Sequence, residues 1–511
     1  MNALSAALSV VTTSILSLAV RLISLAILAR LLAPEQFGVV AMALTIQALV
    51  SLVAQLDMRD ALIQSETVSR AQLRLAWRAM GAMALTSYLL TAALAGRIEA
   101  WTGVAGLAPV LLVTGLNLFL DLFLVPVEAM LIRAGRVSVV GTSNIIGYMI
   151  GFTGFGVTAT LLRPGAFSLA FAYVALAAVK LFYSAFRLAR LPADARRGAP
   201  VPAGSRAGML RHLLRFALFG TANRFFTTST KQVDNLVVGS VLGGHALGFY
   251  SRAYALSATP MDTLLGLTIR SVIFPSLARM RDDPARFRQA VRNANAAGTL
   301  LSFPIGLVFC VLAPELIRVF LGPGWEESII PFQCLSLALG LGFGPRLASA
   351  VGRALGRQKL LFWMNLVMTM ALVLLVWLGA RWSGIVGASI GVLAATLLQW
   401  LAALGLMAWM SGGQVLALIL AMARPALLSL GMAAGLFLAA SALRVDPGLP
   451  LVTLICGALV AGAIGLGTML AFPGRVLGAW ERDMVAQILA RLLPGSGLRR
   501  RILGRLRMDG P

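Results

Sequence analysis

The chain has 511 residues, of which 59% are hydrophobic and 12% charged, with 51 glycines and a net charge of +24. A mean hydropathy of +0.88 excludes a soluble globular protein and points to an all-α, polytopic membrane protein. In a soluble chain the basic excess would suggest a nucleic-acid partner, but its spacing along this sequence assigns it to membrane topology instead.

A window of about 20 apolar residues places spans near 9–31, 38–56, 76–96, 107–132, 138–162 and 165–186. A second set follows near 216–242, 246–278, 293–314, 328–352, 360–380 and 383–410, and two more near 415–442 and 449–472, about fourteen in all. The first span carries Arg21 and exceeds the length of a cleaved leader, so it reads as a retained helix. Arginines collect on alternate connections: Arg59, Arg70, Arg74 and Arg78 after the second span, Arg133 and Arg136 after the fourth, and Arg187 through Arg215 after the sixth. Arg279 through Arg292, Arg353 through Lys359 and the tail from Arg475 to Arg507 continue the pattern. The positive-inside rule then puts both termini in the cytoplasm.

Several spans carry polar residues at helical spacing. Thr13, Ser17, Arg21 and Ser24 share a face of the first span, and Asn117, Asp121 and Glu128 one side of the fourth. The seventh holds Asn223, Arg224, Lys231, Asp234 and Asn235, with Arg224, Lys231 and Asn235 on one face. After the turn Gly243-Gly244-His245, the eighth holds Arg252, Asp262 and Arg270. A charge near the bilayer centre costs roughly 3 kcal/mol even on the lenient insertion scale, so such faces turn toward water or a protein partner. Together they predict an internal cationic cavity. Arg21, Arg224, Lys231, Arg252 and Arg270, with Asn223 and Asn235, are its anion-binding candidates, and a pyrophosphate would suit the site. Asp121, Glu128, Asp234 and Asp262 are candidates for coupling an ion. Structural uses compete: Asp234 stands three residues from Lys231, the spacing of a helical pair, Arg270 is placed to anchor at the interface, and Asp121 and Glu128 can serve helix contacts. Arg346 stands beside Pro345 among Gly340, Gly342 and Gly344, where a break in the tenth span is expected.

Catalytic chemistry finds no footing. There is no Walker loop, no metal-ligand cluster and no nucleophile with a histidine partner, and Cys310, Cys334 and Cys456 lie singly in apolar runs. No enzyme activity, cofactor or metal is expected. The Pro- and Arg-rich stretch 191–212 reads as a linker between residues 1–190 and 213–410, followed by two extra spans over 411–473. Residues 474–511 form a basic tail whose stretch 475–493 suits a helix lying on the inner leaflet. The halves echo each other: Leu32, Phe37, Gly38 and Ala43 match Leu242, Leu247, Gly248 and Ala253 at one constant offset, which also pairs Arg21 with Lys231. This is the pattern of a parallel internal repeat.

Ala29-Arg30-Leu31-Leu32-Ala33-Pro34-Glu35-Gln36-Phe37-Gly38, Ala61-Leu62-Ile63-Gln64, Asp234-Asn235-Leu236-Val237-Val238-Gly239, Leu247 through Tyr254, Phe274-Pro275-Ser276-Leu277-Ala278 and the pair Leu312 to Leu316 with Leu321 to Trp325 resemble the signature blocks of the polysaccharide exporters. These are a branch of the flippase superfamily that includes the lipid II flippase and the multidrug and toxin extruders, and the likeness is nearest to the colanic-acid type. The resemblance implies two six-helix lobes around a central cavity with two additional C-terminal helices. It also implies alternating-access transfer of an undecaprenyl-pyrophosphate-linked oligosaccharide across the bacterial inner membrane for exopolysaccharide or lipopolysaccharide assembly. The implied partners are that lipid-linked sugar, membrane lipids and a polysaccharide polymerase. Two other functions compete with it: a cation-coupled multidrug exporter of the same superfamily, and a membrane polymerase or ligase acting on lipid-linked sugars.

Overall fold

The computed structural model describes residues 3–55, 58–65, 68, 70–191, 232–269, 273–443 and 450–471. Among them ten helices are long and apolar enough to cross a membrane. The first part of the chain forms α1 (Ala3–Ala29), α2 (Pro34–Ala54), α3 (Met58–Gln64), α4 (Arg70–Thr102) and α5 (Leu107–Arg133). It continues through α6 (Val137–Ile146), a π-helical stretch Gly147–Phe155, α7 (Gly156–Leu162) and α8 (Ala166–Ala189). There follow α9 (Val233–Thr268), α10 (Phe274–Met280), α11 (Pro284–Val311), α12 (Ala313–Phe320), α13 (Ile329–Leu341) and α14 (Phe343–Ala354). The chain ends in α15 (Gln358–Ser411), α16 (Val415–Leu443) and α17 (Pro450–Ala471).

Local chemistry sets the helix ends. Pro34 opens α2 in the first turn, where its missing N–H costs nothing, and the Gln36 side chain accepts from the Ala33 amide. Glu99 accepts from the amides of Gly106 (2.8 Å) and Ala108 (2.7 Å), so the end of α4 caps the start of α5. Asp283 caps α11 through the amides of Ala285 and Arg286, with Pro284 next in the first turn.

The chain divides into two compact units. Unit 1 comprises residues 1–252, 320–325 and 372–388; unit 2 comprises 253–319, 326–371 and 389–511. Unit 1 is cored where α3, α4 and α5 meet, by Met58, Leu62, Met80, Leu118, Leu122 and Met130. Its π-helical stretch and the start of α7 lie flush on α8 because Gly151 and Gly156 lack the side chains that would collide with Leu176 and Ala172. Unit 2 is cored by Leu265, Leu277, Phe287, Val291, Phe343, Leu347 and Leu404. Large apolar side chains such as Leu89, Phe182, Trp363 and Leu438 face outward, as lipid contact requires.

Interruptions of the expected spans fall mainly at glycines. Over the span expected at 246–278, α-helix runs to Thr268, Ile269 and Ile273 are π-helical, and α-helix resumes as α10 with Pro275 in its first turn. The tenth span, long and apolar enough to cross a membrane over Glu326–Ala354, is divided into α13 and α14 at Gly342, where a break was expected. In α9 the helical path breaks at Gly243 (φ 83°), where the turn was expected. The eleventh and twelfth spans run together as α15 with a break at Ser383 and Gly384, within a residue of the expected boundary. The linker beyond Leu191 and the amphipathic tail helix lie outside the described residues, as do Asn223, Arg224, Lys231 and Arg270 and the side chain of Asp262.

Candidate functional site

Of the predicted cationic residues, unit 1 brings Arg21 and Arg252 together. Arg21 projects from α1 with its guanidinium 5.9 Å from the ring centre of Tyr148. Tyr148 lies in the π-helical stretch, whose wider turns leave carbonyls to be satisfied by side chains. Thr153 donates to the Tyr148 carbonyl (2.9 Å), and its hydroxyl shares a hydrogen bond with Ser24 of α1 (2.5 Å). That link holds α1 against the π-helical stretch one turn from Arg21. The rings of Tyr148, Phe152 and Tyr173 then follow edge to face, at 5.7 and 4.9 Å.

Arg252 completes the cluster from α9. It is 8% exposed, hydrogen-bonds Tyr173, feels the charge of Arg21, and stands 4.9 Å over the ring of Phe37. Its Nε has no hydrogen-bond partner among the described residues, and among them neither arginine forms an ion pair with a carboxylate. A buried guanidinium beside a second, more exposed one, with no carboxylate partner among the described residues, is an arrangement that an anion would relieve. Asp234 forms no ion pair with either arginine among the described residues. Its two carboxylate oxygens accept from the Asn235 amide (2.9 Å) and from the Tyr250 hydroxyl (2.8 Å), which ties the start of α9 to its second half. Asn235 is buried beside it, its Oδ1 without a hydrogen-bond partner among the described residues.

The carboxylates of α5 form a second group. Glu128, almost fully buried, pairs with Arg59 of α3 at 2.5 Å. Asp121 lies within reach of the charges of Lys180, Glu128 and Arg59 and accepts from the Asn117 side chain at 3.4 Å. Arg133, one turn past Glu128, donates to the carbonyls of Leu62 and Ile63 (3.0 Å each) and of Ser65, closing the C-terminal end of α3. Two arginines therefore fasten α3 along α5. Removing only the cation should be costly, because it strands a buried carboxylate. Arg59→Ala is expected to destabilise the purified protein by about 2 kcal/mol, discounted because Arg59 is a third exposed. Arg59→Ala with Glu128→Gln should recover most of that loss, as read from thermal unfolding in detergent.

Sequence reading missed Tyr148 and Tyr173, which carry no signal apart from being aromatic. It also missed Arg59 as a partner of Glu128, having assigned that arginine to topology. Lys180 was detectable as the single charged residue inside the sixth span.

Comparison with known proteins adds the following. A family model described as "Polysaccharide biosynthesis protein" matches residues 27–330, more than half of the chain. The lipopolysaccharide biosynthesis protein WzxC of Escherichia coli is 24% identical over 73% of this chain and 74% of its own length. The succinoglycan biosynthesis transport protein ExoT of Rhizobium meliloti is 25% identical over 69% of each. Among solved structures, the lipid II flippase MurJ in an inward closed conformation superposes with a TM-score of 0.68 at 13% identity, over 94% of this chain and 100% of that one. At that identity the likeness is one of fold.

Proposed function

The chain belongs to the polysaccharide biosynthesis protein family, and from that premise we propose that it is a flippase for an undecaprenyl-pyrophosphate-linked oligosaccharide. The direction proposed is from the cytoplasmic to the periplasmic leaflet of the bacterial inner membrane, with both chain termini cytoplasmic. The observation that carries the reading is the Arg21 and Arg252 pair: two cations on membrane helices, one of them more than nine-tenths buried, with no carboxylate partner among the described residues. A diphosphate supplies the missing negative charge, and a guanidinium fork matches its oxygens better than a lysine would. In this proposal Arg224, Lys231 and Arg270, with Asn223 and Asn235, extend the anion-contacting surface. Asp121, Glu128, Asp234 and Asp262 adjust charge or carry a coupling ion. Residues 1–190 and 213–410 are the moving lobes, joined by 191–212, and the product passes to a polysaccharide polymerase.

WzxC and ExoT carry names from lipopolysaccharide and succinoglycan biosynthesis, which favours a polysaccharide precursor over a drug as cargo. A site with two arginines that have no carboxylate partner among the described residues also repels the cations that a multidrug exporter would carry. The test is reconstitution of the full chain into liposomes holding a fluorescent undecaprenyl-diphosphate sugar, followed by a membrane-impermeant quencher. Protein-dependent quenching of the initially protected leaflet is expected. Quenching no faster than in protein-free vesicles overturns the proposal, and transfer of sugar to an acceptor would identify a polymerase or ligase instead.

A further inference from the structure

The ends of three segments in unit 1 meet close to Arg252. Gly38 lies in the first turns of α2, and Gly248 lies in the helical path that resumes after the break at Gly243. A Cβ built on Gly38 would sit 1.7 Å from the carbonyl oxygen of Gly244, and one built on Gly248 would sit 1.9 Å from the carbonyl oxygen of Pro34. Pro34 and Gly38 stand in the same register to Gly244 and Gly248 as Leu32 stands to Leu242, so each half of the sequence repeat offers the other a glycine and a carbonyl. The result is a reciprocal clasp of backbone on backbone.

Trp325 bridges both halves of the clasp. It is 2% exposed and donates through Nε1 to the Ala29 carbonyl at 3.1 Å. Its ring meets Phe37 edge-on at 5.5 Å and Phe249 edge-on at 5.7 Å. The left-handed turns at Gly322 (φ 94°) and Gly324 (φ 85°) shape the short segment that delivers it. Phe37 therefore has two partners, Trp325 and the Arg252 guanidinium.

We propose that Phe37 and Trp325 couple occupancy of the Arg252 site to opening of this clasp. The inference rests on the reading of Arg252 as an anion contact. An anion that engages the guanidinium competes with the Phe37 ring for the same charge, so the closed arrangement loses a contact that the open one does not make. A ligand shifts a two-state equilibrium only by the difference in its affinity for the two states, and the Arg252 to Phe37 contact supplies that difference. Trp325 sets the resting position of the equilibrium, because it touches both halves of the clasp.

The experiment places spin labels at Ala33→Cys and His245→Cys, two exposed positions flanking the clasp, in the full chain with Cys310, Cys334 and Cys456 replaced by alanine. Distances are measured in nanodiscs by pulsed electron resonance, with inorganic pyrophosphate as the probe and its binding followed separately by calorimetry. In the parent, pyrophosphate is expected to populate a second, longer distance. In Phe37→Leu and in Phe37→Met, pyrophosphate should bind within about twofold of the parent yet leave the distances unchanged, the signature of a broken linkage. Trp325→Phe should show the longer distance without any pyrophosphate. Pyrophosphate binding without redistribution in the parent overturns the coupling and leaves the anion site standing, and so does parental redistribution in both Phe37 variants. Failure of the parent to bind pyrophosphate overturns the anion-site reading and the coupling with it.

Discussion

Arg252→Gln is expected to reduce pyrophosphate binding and lipid-linked sugar translocation by at least about 30-fold while leaving the protein as stable as the parent or more so. The two halves of that expectation come from one observation, a buried guanidinium whose Nε has no partner among the described residues. With the anion absent, the folded state bears the desolvation of an unneutralised charge, and a neutral side chain of similar length removes that penalty. With the anion bound, the same charge sits in a low-dielectric site where a paired contact is worth about 2 kcal/mol or more, each 1.4 kcal/mol being tenfold in affinity. Arg252→Lys should rescue poorly, because an ammonium does not fork onto two oxygens as a guanidinium does. Arg21 makes the comparison sharper. It is exposed, so Arg21→Gln should cost only about fivefold, as for a solvent-screened charge. Equal losses at both positions, or parental translocation by Arg252→Gln, would remove the burial of Arg252 from the account of binding.

The sequence and the structure agree best where one helix is enough to decide. Most expected spans lie within a few residues of a structural helix, since 20 apolar residues in a row have few alternatives to a membrane helix. The break at Ser383 and Gly384 and the turn at Gly243 were marked by glycine. The short helices α3 and α12 were not legible: neither has the length of a span, and α3 gains its place from Glu128 and Arg133 of α5 reaching it from a different part of the sequence. The π-helical stretch inside the fifth span was equally hidden, because nothing in Gly147–Phe155 distinguishes it from α-helix until Thr153 meets Ser24.

The candidate site divides along the same line. That Arg21 and Arg252 must avoid lipid followed from their positions in apolar runs, and they do share one cluster. Which groups surround them did not follow, since Tyr148, Tyr173 and Phe37 reach the arginines by tertiary contact alone. Asp234 shows the limit of local spacing. Lys231, the partner that spacing offers, lies outside the described residues, while Tyr250, sixteen residues on, donates to the Asp234 carboxylate and carries no signal in local spacing. The repeat is the opposite case. Four weak matches at one offset became informative when Gly38 and Gly248 were found in equivalent, reciprocal contacts.

Those two glycines carry the second large expectation. Gly38→Ala and Gly248→Ala should each force the clasp apart, because the new Cβ would fall 1.7 and 1.9 Å from a carbonyl oxygen and no side chain can turn aside to make room. Relief requires the two backbones to separate by more than 1 Å, which exceeds the ordinary overpacking cost of about 1–3 kcal/mol. The spin-labelled chain should therefore show the longer distance without pyrophosphate in either variant. Gly244→Ala is the control: its Cβ would meet a Val104 methyl at 3.2 Å, a contact that a small side-chain shift absorbs. Since Gly38 and Gly248 hold the same pair of backbones together, the double variant Gly38→Ala with Gly248→Ala should cost clearly less than the two single effects combined, the behaviour of coupled sites. Strict additivity in thermal unfolding would mean that the two contacts act separately. In that case each glycine secures its own helix, and no single clasp exists for an anion to open.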